Sequence, residues 1–229
     1  MDIFKEKQIS ADNIKAVIFD MDGVIFDSER AVIEAWKETA GQYGVPDIEY
    51  YCIECLGMNA SEAKKRFTEI YGEKYDYDRL RDEKTQKVIK MFEDGKVRLK
   101  PGITELLVFL KAHNFKTAVA SSTREAAVRR ELTSSDIIQY FDEIVTGDMV
   151  EKSKPDPEIF TKACEKLNVR PDESIGIEDS FNGVRSSSSA GLYTIMVPDM
   201  IQPDEEIKNI ADLILPDLIS VRRIVFGDC

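Results

Sequence analysis

The stretch Lys15-Ala-Val-Ile-Phe-Asp20-Met-Asp22-Gly23-Val24 is a short, nearly continuous apolar run that ends in an acid and turns at once. A run of this kind suits a strand covered on both faces, as in a parallel sheet. The pattern recurs at Lys116-Thr-Ala-Val-Ala-Ser121, Glu143-Ile-Val-Thr-Gly147, Ser174-Ile-Gly-Ile-Glu-Asp179 and Tyr193-Thr-Ile-Met-Val197. Amphipathic helical stretches lie between these runs, among them Ile103 to Ala112 and Pro157 to Leu167. Strands alternating with helices predict an α/β fold with a doubly wound parallel sheet. Ligands of such sheets bind beyond the carboxyl ends of the strands, so the residues that follow each run are the ones to read for chemistry.

One interval breaks the alternation. Between Ser28 and Gly95 no apolar run reads as a strand, whereas Ala31 to Ala40, Ser61 to Ile70 and Arg79 to Phe92 read as helices. The expected organisation is a core of residues 1–27 and 96–229 with an inserted helical cap of residues 28–95. An insert at a strand's carboxyl end is expected to act as a lid. Lys100-Pro101-Gly102 punctuates the return to the core. The serine run Ser186 to Ser189, flanked by Gly183 and Gly191, reads as the small face of a helix packed closely on the sheet.

Charge narrows the function classes. The 229 residues carry 31 Lys+Arg against 43 Asp+Glu, a formal net charge of −12. Repulsion from phosphate backbones and anionic lipid heads argues against nucleic acid or a membrane surface as main partner. The start, Met1-Asp-Ile-Phe-Lys-Glu-Lys-Gln, has no apolar signal-peptide core, and the apolar runs elsewhere fall short of the roughly 20 residues a bilayer span needs. A cytoplasmic protein is expected, and a monomer. Cys52 and Cys55 have redox or half-zinc-site spacing, but no second pair completes a zinc set and the sole histidine is His113, so they read as small apolar residues beside a helix.

The strand ends carry the chemistry. Asp20 and Asp22 stand two apart just past a strand, and two acids placed together invite a cation; oxygen-only ligation favours Mg²⁺. Ser121-Ser122-Thr123 offers hydroxyls and turn N–H groups at a helix start, a cradle for an oxyanion. Lys154 supplies a cation in an acidic chain, and Glu178-Asp179 adds two carboxylates. Together these groups describe a site for Mg²⁺ and a phosphate.

The strings Asp20-Met-Asp-Gly-Val-Ile-Phe-Asp27-Ser28, Ala-Ser121-Ser122, Ser-Lys154-Pro155-Asp-Pro-Glu-Ile-Phe160 and Gly-Ile-Glu178-Asp179-Ser180-Phe-Asn-Gly183 resemble, in order, the four motifs of the haloacid dehalogenase (HAD) superfamily of phosphohydrolases. The resemblance extends over essentially the whole chain. It implies a Rossmann-like core, a helical cap, Mg²⁺ dependence and a phosphoaspartyl intermediate. Asp20 matches the nucleophile and Asp22 the general acid/base. Ser121, with Ser122 beside it, and Lys154 match the phosphate-holding groups. Asp179 and Glu178 match the acidic metal site, which the Asp22 backbone carbonyl and Asp20 complete.

Asp22 argues against a dehalogenase, which lacks that acid. The look of the motifs is similar to the β-phosphoglucomutase-like subgroup, with two departures. The mutase carries a His in the helix after the first motif, where Val32 stands here. It also carries a cap Arg three residues after a Gly, where Gly57-Met58-Asn59-Ala60 places Ala60. An Arg is the group best suited to hold a second phosphate. The expected activity is therefore hydrolysis of a small phosphorylated metabolite, with Trp36, Gly57, Met58 and Asn59 as cap candidates for reading the substrate. Phosphosugar mutase is the alternative, and a non-catalytic phospho-acceptor module a remote one.

Overall fold

Strand β1 (Ala16–Phe19) is buried at every residue, and so is β4 (Ser174–Glu178) beside it. The computed structural model describes residues 13–56, 58 and 60–227. With β2 (Lys116–Ser121), β3 (Glu143–Thr146), β5 (Tyr193–Met196) and β6 (Leu213–Ile214), these strands form one parallel sheet in the order β3-β2-β1-β4-β5-β6. The chain runs outward from β1 on one side to β3, then crosses back to β4 on the other, so β1 and β4 flank the switch point at which such sheets bind ligands. The first five strands fall on the five apolar runs. The sixth was not anticipated, because two residues are too few to show a pattern.

The chain divides into two compact units, Met1–Phe26 with Leu99–Cys229, and Asp27–Arg98. At the division Phe26 bridges antiparallel to Leu99, and the Asp27 N–H donates to the Arg98 carbonyl at 2.9 Å. This pairing of the outgoing and returning chain puts the boundaries at 27 and 98, where the sequence suggested 28 and 95.

The unit Asp27–Arg98 holds helices α1 (Ser28–Tyr43), α2 (Ile48–Glu54), α3 (Ala60–Tyr71) and α4 (Tyr77–Glu93). Its centre is aromatic. Trp36 meets Tyr51 edge-on at 5.6 Å between ring centroids and stacks on Phe67 and Tyr77 at 6.3 and 6.1 Å. The Tyr51 hydroxyl donates to the Ala63 carbonyl at 3.1 Å, which satisfies its polar end. Asp76 caps α4 by accepting from the Arg79 N–H at 3.1 Å. Helix α2 is the element the sequence did not reveal.

In the other unit, α5 (Ile103–Ala112) precedes β2, α6 (Glu125–Ser134) follows it, α7 (Glu158–Leu167) precedes β4 and α8 (Phe181–Ser189) follows it. Helices α9 (Glu205–Ile210) and α10 (Leu218–Phe226) complete the chain. Ala16 and Ile18 of β1 and Ala118 and Ala120 of β2 pack with Ile159, Phe160 and Ala163 of α7, while Val17 and Phe19 point the other way and are equally buried. Burial on both faces is what makes the strands read as unbroken apolar runs. His113 caps the end of α5, where its ring lies on Phe109 at 4.0 Å and its Nδ1 sits 2.8 Å from the Phe109 carbonyl. Cys52 and Cys164 are buried thiols and Cys55 is half-buried; none of the three is in a disulfide. Among the described residues no helix is long and apolar enough to cross a membrane.

The serine run lies in α8. Ser186 Oγ donates to the Asp156 carbonyl at 2.6 Å, and Ser187 Oγ and Thr194 Oγ1 are hydrogen-bonded at 2.8 Å. Gly176 of β4 is what admits Ser187, since a Cβ there would stand 2.1 Å from Ser187 Oγ. We expect Gly176→Ala to overpack this contact and lower stability by about 1–3 kcal/mol, read from the urea unfolding midpoint; an unchanged midpoint would show that the helix shifts freely off the sheet.

Candidate active site

Parallel register aligns the strand ends that matter. Phe19 pairs with Val119 on one side and with Ile177 on the other, so Asp20, the next residue, stands between Ala120 and Glu178. Its N–H donates to the Ile177 carbonyl at 2.9 Å, which keeps Asp20 in register although the strand has ended. Lys154, in the turn before α7, reaches all three of these neighbours. Its Nζ donates to Asp20 Oδ1 at 2.5 Å, to Glu178 Oε1 at 2.6 Å and to the Ala120 carbonyl at 2.9 Å. Three donors on one ammonium meet three acceptors from three adjacent strands.

Two glycines make room for the carboxylates. Gly23 has φ of 80°, and a Cβ on it would stand 2.1 Å from Asp179 Oδ2. A Cβ on Gly183 would stand 2.0 Å from the Glu178 carboxyl carbon. Glu178 is fully buried, with Oε2 accepting from Ser180 Oγ at 3.3 Å, and its bond to Lys154 makes it a holder of that ammonium as well as a member of the acidic group.

Carboxylate oxygens of Asp20, Glu178 and Asp179 lie within 4.8 Å of one another. An all-oxygen donor set of this compactness fits one hard divalent cation. The Asp22 carboxylate is not in that group; Asp22 Oδ2 accepts from Thr123 Oγ1 at 3.2 Å, which turns the side chain toward the loop after β2. In that loop Ser121 is buried and its Oγ accepts from the Thr123 N–H at 3.1 Å, while Ser122 is exposed. Accepting one bond leaves the Ser121 hydroxyl its own proton to donate.

Electrostatics follow from burial. Desolvation drives the Asp20 carboxyl well above the ordinary aspartate range; Lys154 opposes this, and the neighbouring charges of Glu178 and Asp22 add to it. Burial alone would lower the Lys154 pKa, but Asp20 and Glu178 outweigh it and raise the value, so the ammonium stays charged. Glu131, on α6 and nearly buried, is pushed up to about 7 by desolvation and then by Asp22. Near neutral pH it therefore carries a proton much of the time, which limits the negative charge around Asp22.

The structure thus brings Asp20, Lys154, Glu178 and Asp179 together, with Asp22 joined to the Ser121–Thr123 loop. Trp36 it places at the centre of the helical unit, 5 % exposed, so its ring serves as core. Met58 is exposed, while Gly57 and Asn59 lie outside the described residues. Thr123 as the partner of Asp22 was within reach of the sequence, since it completes the Ser-Ser-Thr turn; Glu131 gave no signal beyond one acid in a charged helix.

Residues 17–197 match the family model described as haloacid dehalogenase-like hydrolase. The chain belongs to that family. As a HAD-like hydrolase it is an enzyme, and it is 35% identical over 182 residues to the phosphorylated carbohydrates phosphatase of Thermotoga maritima, which covers 80% of this chain and 84% of that protein. It is 32% identical over 214 residues to the β-phosphoglucomutase of Bacillus subtilis, covering 88% and 92%. Among solved structures, CbbY from Rhodobacter sphaeroides in complex with phosphate matches with a TM-score of 0.75 at 28% identity, over 91% of this chain and 96% of that one. A putative β-phosphoglucomutase from Thermotoga maritima matches at 0.78 and 29%, over 93% and 99%.

Removing the shared ammonium of this HAD chain leaves buried carboxylates facing each other. Lys154→Met is expected to cost about 3–5 kcal/mol in urea unfolding at about pH 8. Asp20, already raised by burial, loses the group that lowers it and takes up a proton as pH falls, so the loss should shrink toward about pH 5. A loss that is the same at both pH values would mean that Asp20 is not the carboxylate Lys154 compensates.

Proposed function

We propose that this enzyme is a Mg²⁺-dependent phosphatase that hydrolyses a small phosphate monoester, a sugar phosphate or similar metabolite, through an aspartyl-phosphate on Asp20. The observation that carries the reading is the Lys154 ammonium shared by Asp20 and Glu178 beside Asp179. A carboxylate attacking a phosphate ester meets charge repulsion, and a fixed cation within 2.5 Å of the attacking group lowers it. Asp20, Asp179 and the Asp22 carbonyl, with Glu178 adjoining, would hold Mg²⁺, which would supply further positive charge against the phosphoryl oxygens.

The protein's own groups divide the remaining work. Asp20 attacks phosphorus in line with the departing oxygen. Lys154, the Ser121 hydroxyl and the neighbouring Ser122 hold the phosphoryl oxygens. Asp22 gives a proton to the leaving alcohol and later accepts one from the water that hydrolyses the aspartyl-phosphate. The hydroxyl of Thr123 orients that carboxyl, which keeps the proton donor aimed while Asp20 reacts.

Phosphatase is preferred to mutase because Val32 and Ala60 stand where the mutase carries its His and cap Arg. The phosphatase name of the Thermotoga relative supports the same choice. The similarity to β-phosphoglucomutases keeps transfer to a second hydroxyl as the competing outcome.

Phosphate release from an aryl phosphate should require Mg²⁺ and stop on adding EDTA. Asp20→Asn should remove measurable turnover, and Asp22→Asn should lower it by about 10²–10⁴-fold, both with unfolding midpoints near that of the unsubstituted chain. Near-normal turnover in either variant would overturn the assignment. A panel of sugar phosphates assayed for released phosphate and for isomerised product separates hydrolysis from transfer: isomerisation faster than release would reverse the preference.

A further inference from the structure

The ion pair of Lys100 with Asp199 has no part in the chemistry above, yet it lies next to it. Asp199 follows β5, two residues after Val197, whose N–H donates to the Glu178 carbonyl at 2.7 Å. The Asp199 side chain is 3 % exposed and Oδ1 accepts from Lys100 Nζ at 2.8 Å. Lys100 is tied to the turn that carries Asp20 and Asp22, because its backbone N–H donates to the Ile25 carbonyl at 2.8 Å. A carboxylate oxygen of Asp199 comes within 4.8 Å of one of Asp179.

Two carboxylates that close repel, and burial strengthens the repulsion. Lys100 sets a positive charge 2.8 Å from the Asp199 carboxylate, which offsets that repulsion. Within 4.8 Å of Asp179, the Asp199 carboxylate is near enough to accept a hydrogen bond from a water belonging to an ion that Asp179 would hold. Mg²⁺ dehydrates reluctantly and keeps several waters, and the groups that hold those waters set its affinity and orientation.

We infer that Asp199, fixed by Lys100, is a positioning residue for the hydrated cation: it accepts a hydrogen bond from a water of the ion bound at Asp20 and Asp179. This rests on the cation reading of that acidic group. The competing account gives the pair only the task of fastening the chain after β5 to the chain before α5. The two accounts differ in what the substitution moves. Fastening alone alters stability and leaves the affinity of folded protein for Mg²⁺ unchanged, whereas positioning alters the affinity itself.

The experiment is calorimetric titration of Mg²⁺ into the full chain without substrate, paired with the unfolding midpoint in EDTA. Asp199→Asn should raise the Mg²⁺ dissociation constant about 10-fold or more. The double variant Asp199→Asn with Lys100→Met carries no buried unpaired charge and is the one expected to stay folded; it should show the same weakening. Affinity within twofold of the unsubstituted chain in either folded variant overturns the inference, provided that Asp179→Asn abolishes binding. If the unsubstituted chain takes up no Mg²⁺, the cation reading falls and this inference falls with it.

Discussion

Everything at the carboxyl end of the sheet is arranged around one ammonium group. Lys154 donates to Asp20, to the Ala120 carbonyl and to Glu178, which are neighbours across the three central strands β2, β1 and β4. The bond network is at once structural and chemical. It ties the carboxyl ends of three adjacent strands, at Asp20 just past β1 and at Ala120 and Glu178 in the last residues of β2 and β4, and it lets a carboxylate stay close to two others in a dry environment. Neither task is separable from the other, because the charge that holds the strand ends is the charge a phosphoryl group would meet.

The sheet was legible because it is buried on both faces. Ala16 to Phe19 and Ser174 to Glu178 are inaccessible on each side, so their sequences are apolar without alternation and their polar residues cluster where the strands stop. The same physics explains why the site was legible. Asp20, Ser121, Glu178 and Asp179 each close a run, and Lys154 sits in a turn beside a proline. β6 was invisible because two residues, Leu213 and Ile214, carry no period. Helix α2, Ile-Glu-Tyr-Tyr-Cys-Ile-Glu, presents no clean apolar stripe: Tyr51 and Cys52 are buried, while Tyr50 and Ile53 are more than half exposed.

What stayed hidden was a contact that joins distant positions with no pattern at either end. Lys100 and Asp199 are 99 residues apart, and each looks like an ordinary loop charge until the register of β5 and the turn after β1 bring them together. Asp22 and Thr123 are 101 apart, but each stands in a motif at a strand end, so that pairing was within reach. Trp36 misled for the opposite reason. A lone tryptophan in a charged helix invites a binding role, yet the rings of Tyr51, Phe67 and Tyr77 surround it and make it the keystone of a small helical core.

The point where the chain leaves and re-enters the sheet unit has an architectural consequence. Phe26 and Leu99 are bridged, and Asp27 and Arg98 are hydrogen-bonded, so the two chain crossings run side by side. None of the six strands lies between them in sequence, and Asp20, Lys154, Glu178 and Asp179 all fall outside the 27–98 segment. To the sheet, the segment is a loop whose ends already meet, whatever its length or content. Such a splice point tolerates the exchange of one folded body for another without moving a strand by a single residue, so the part of the gene encoding 27–98 can diverge at its own pace while the strand ends that hold Lys154 stay fixed.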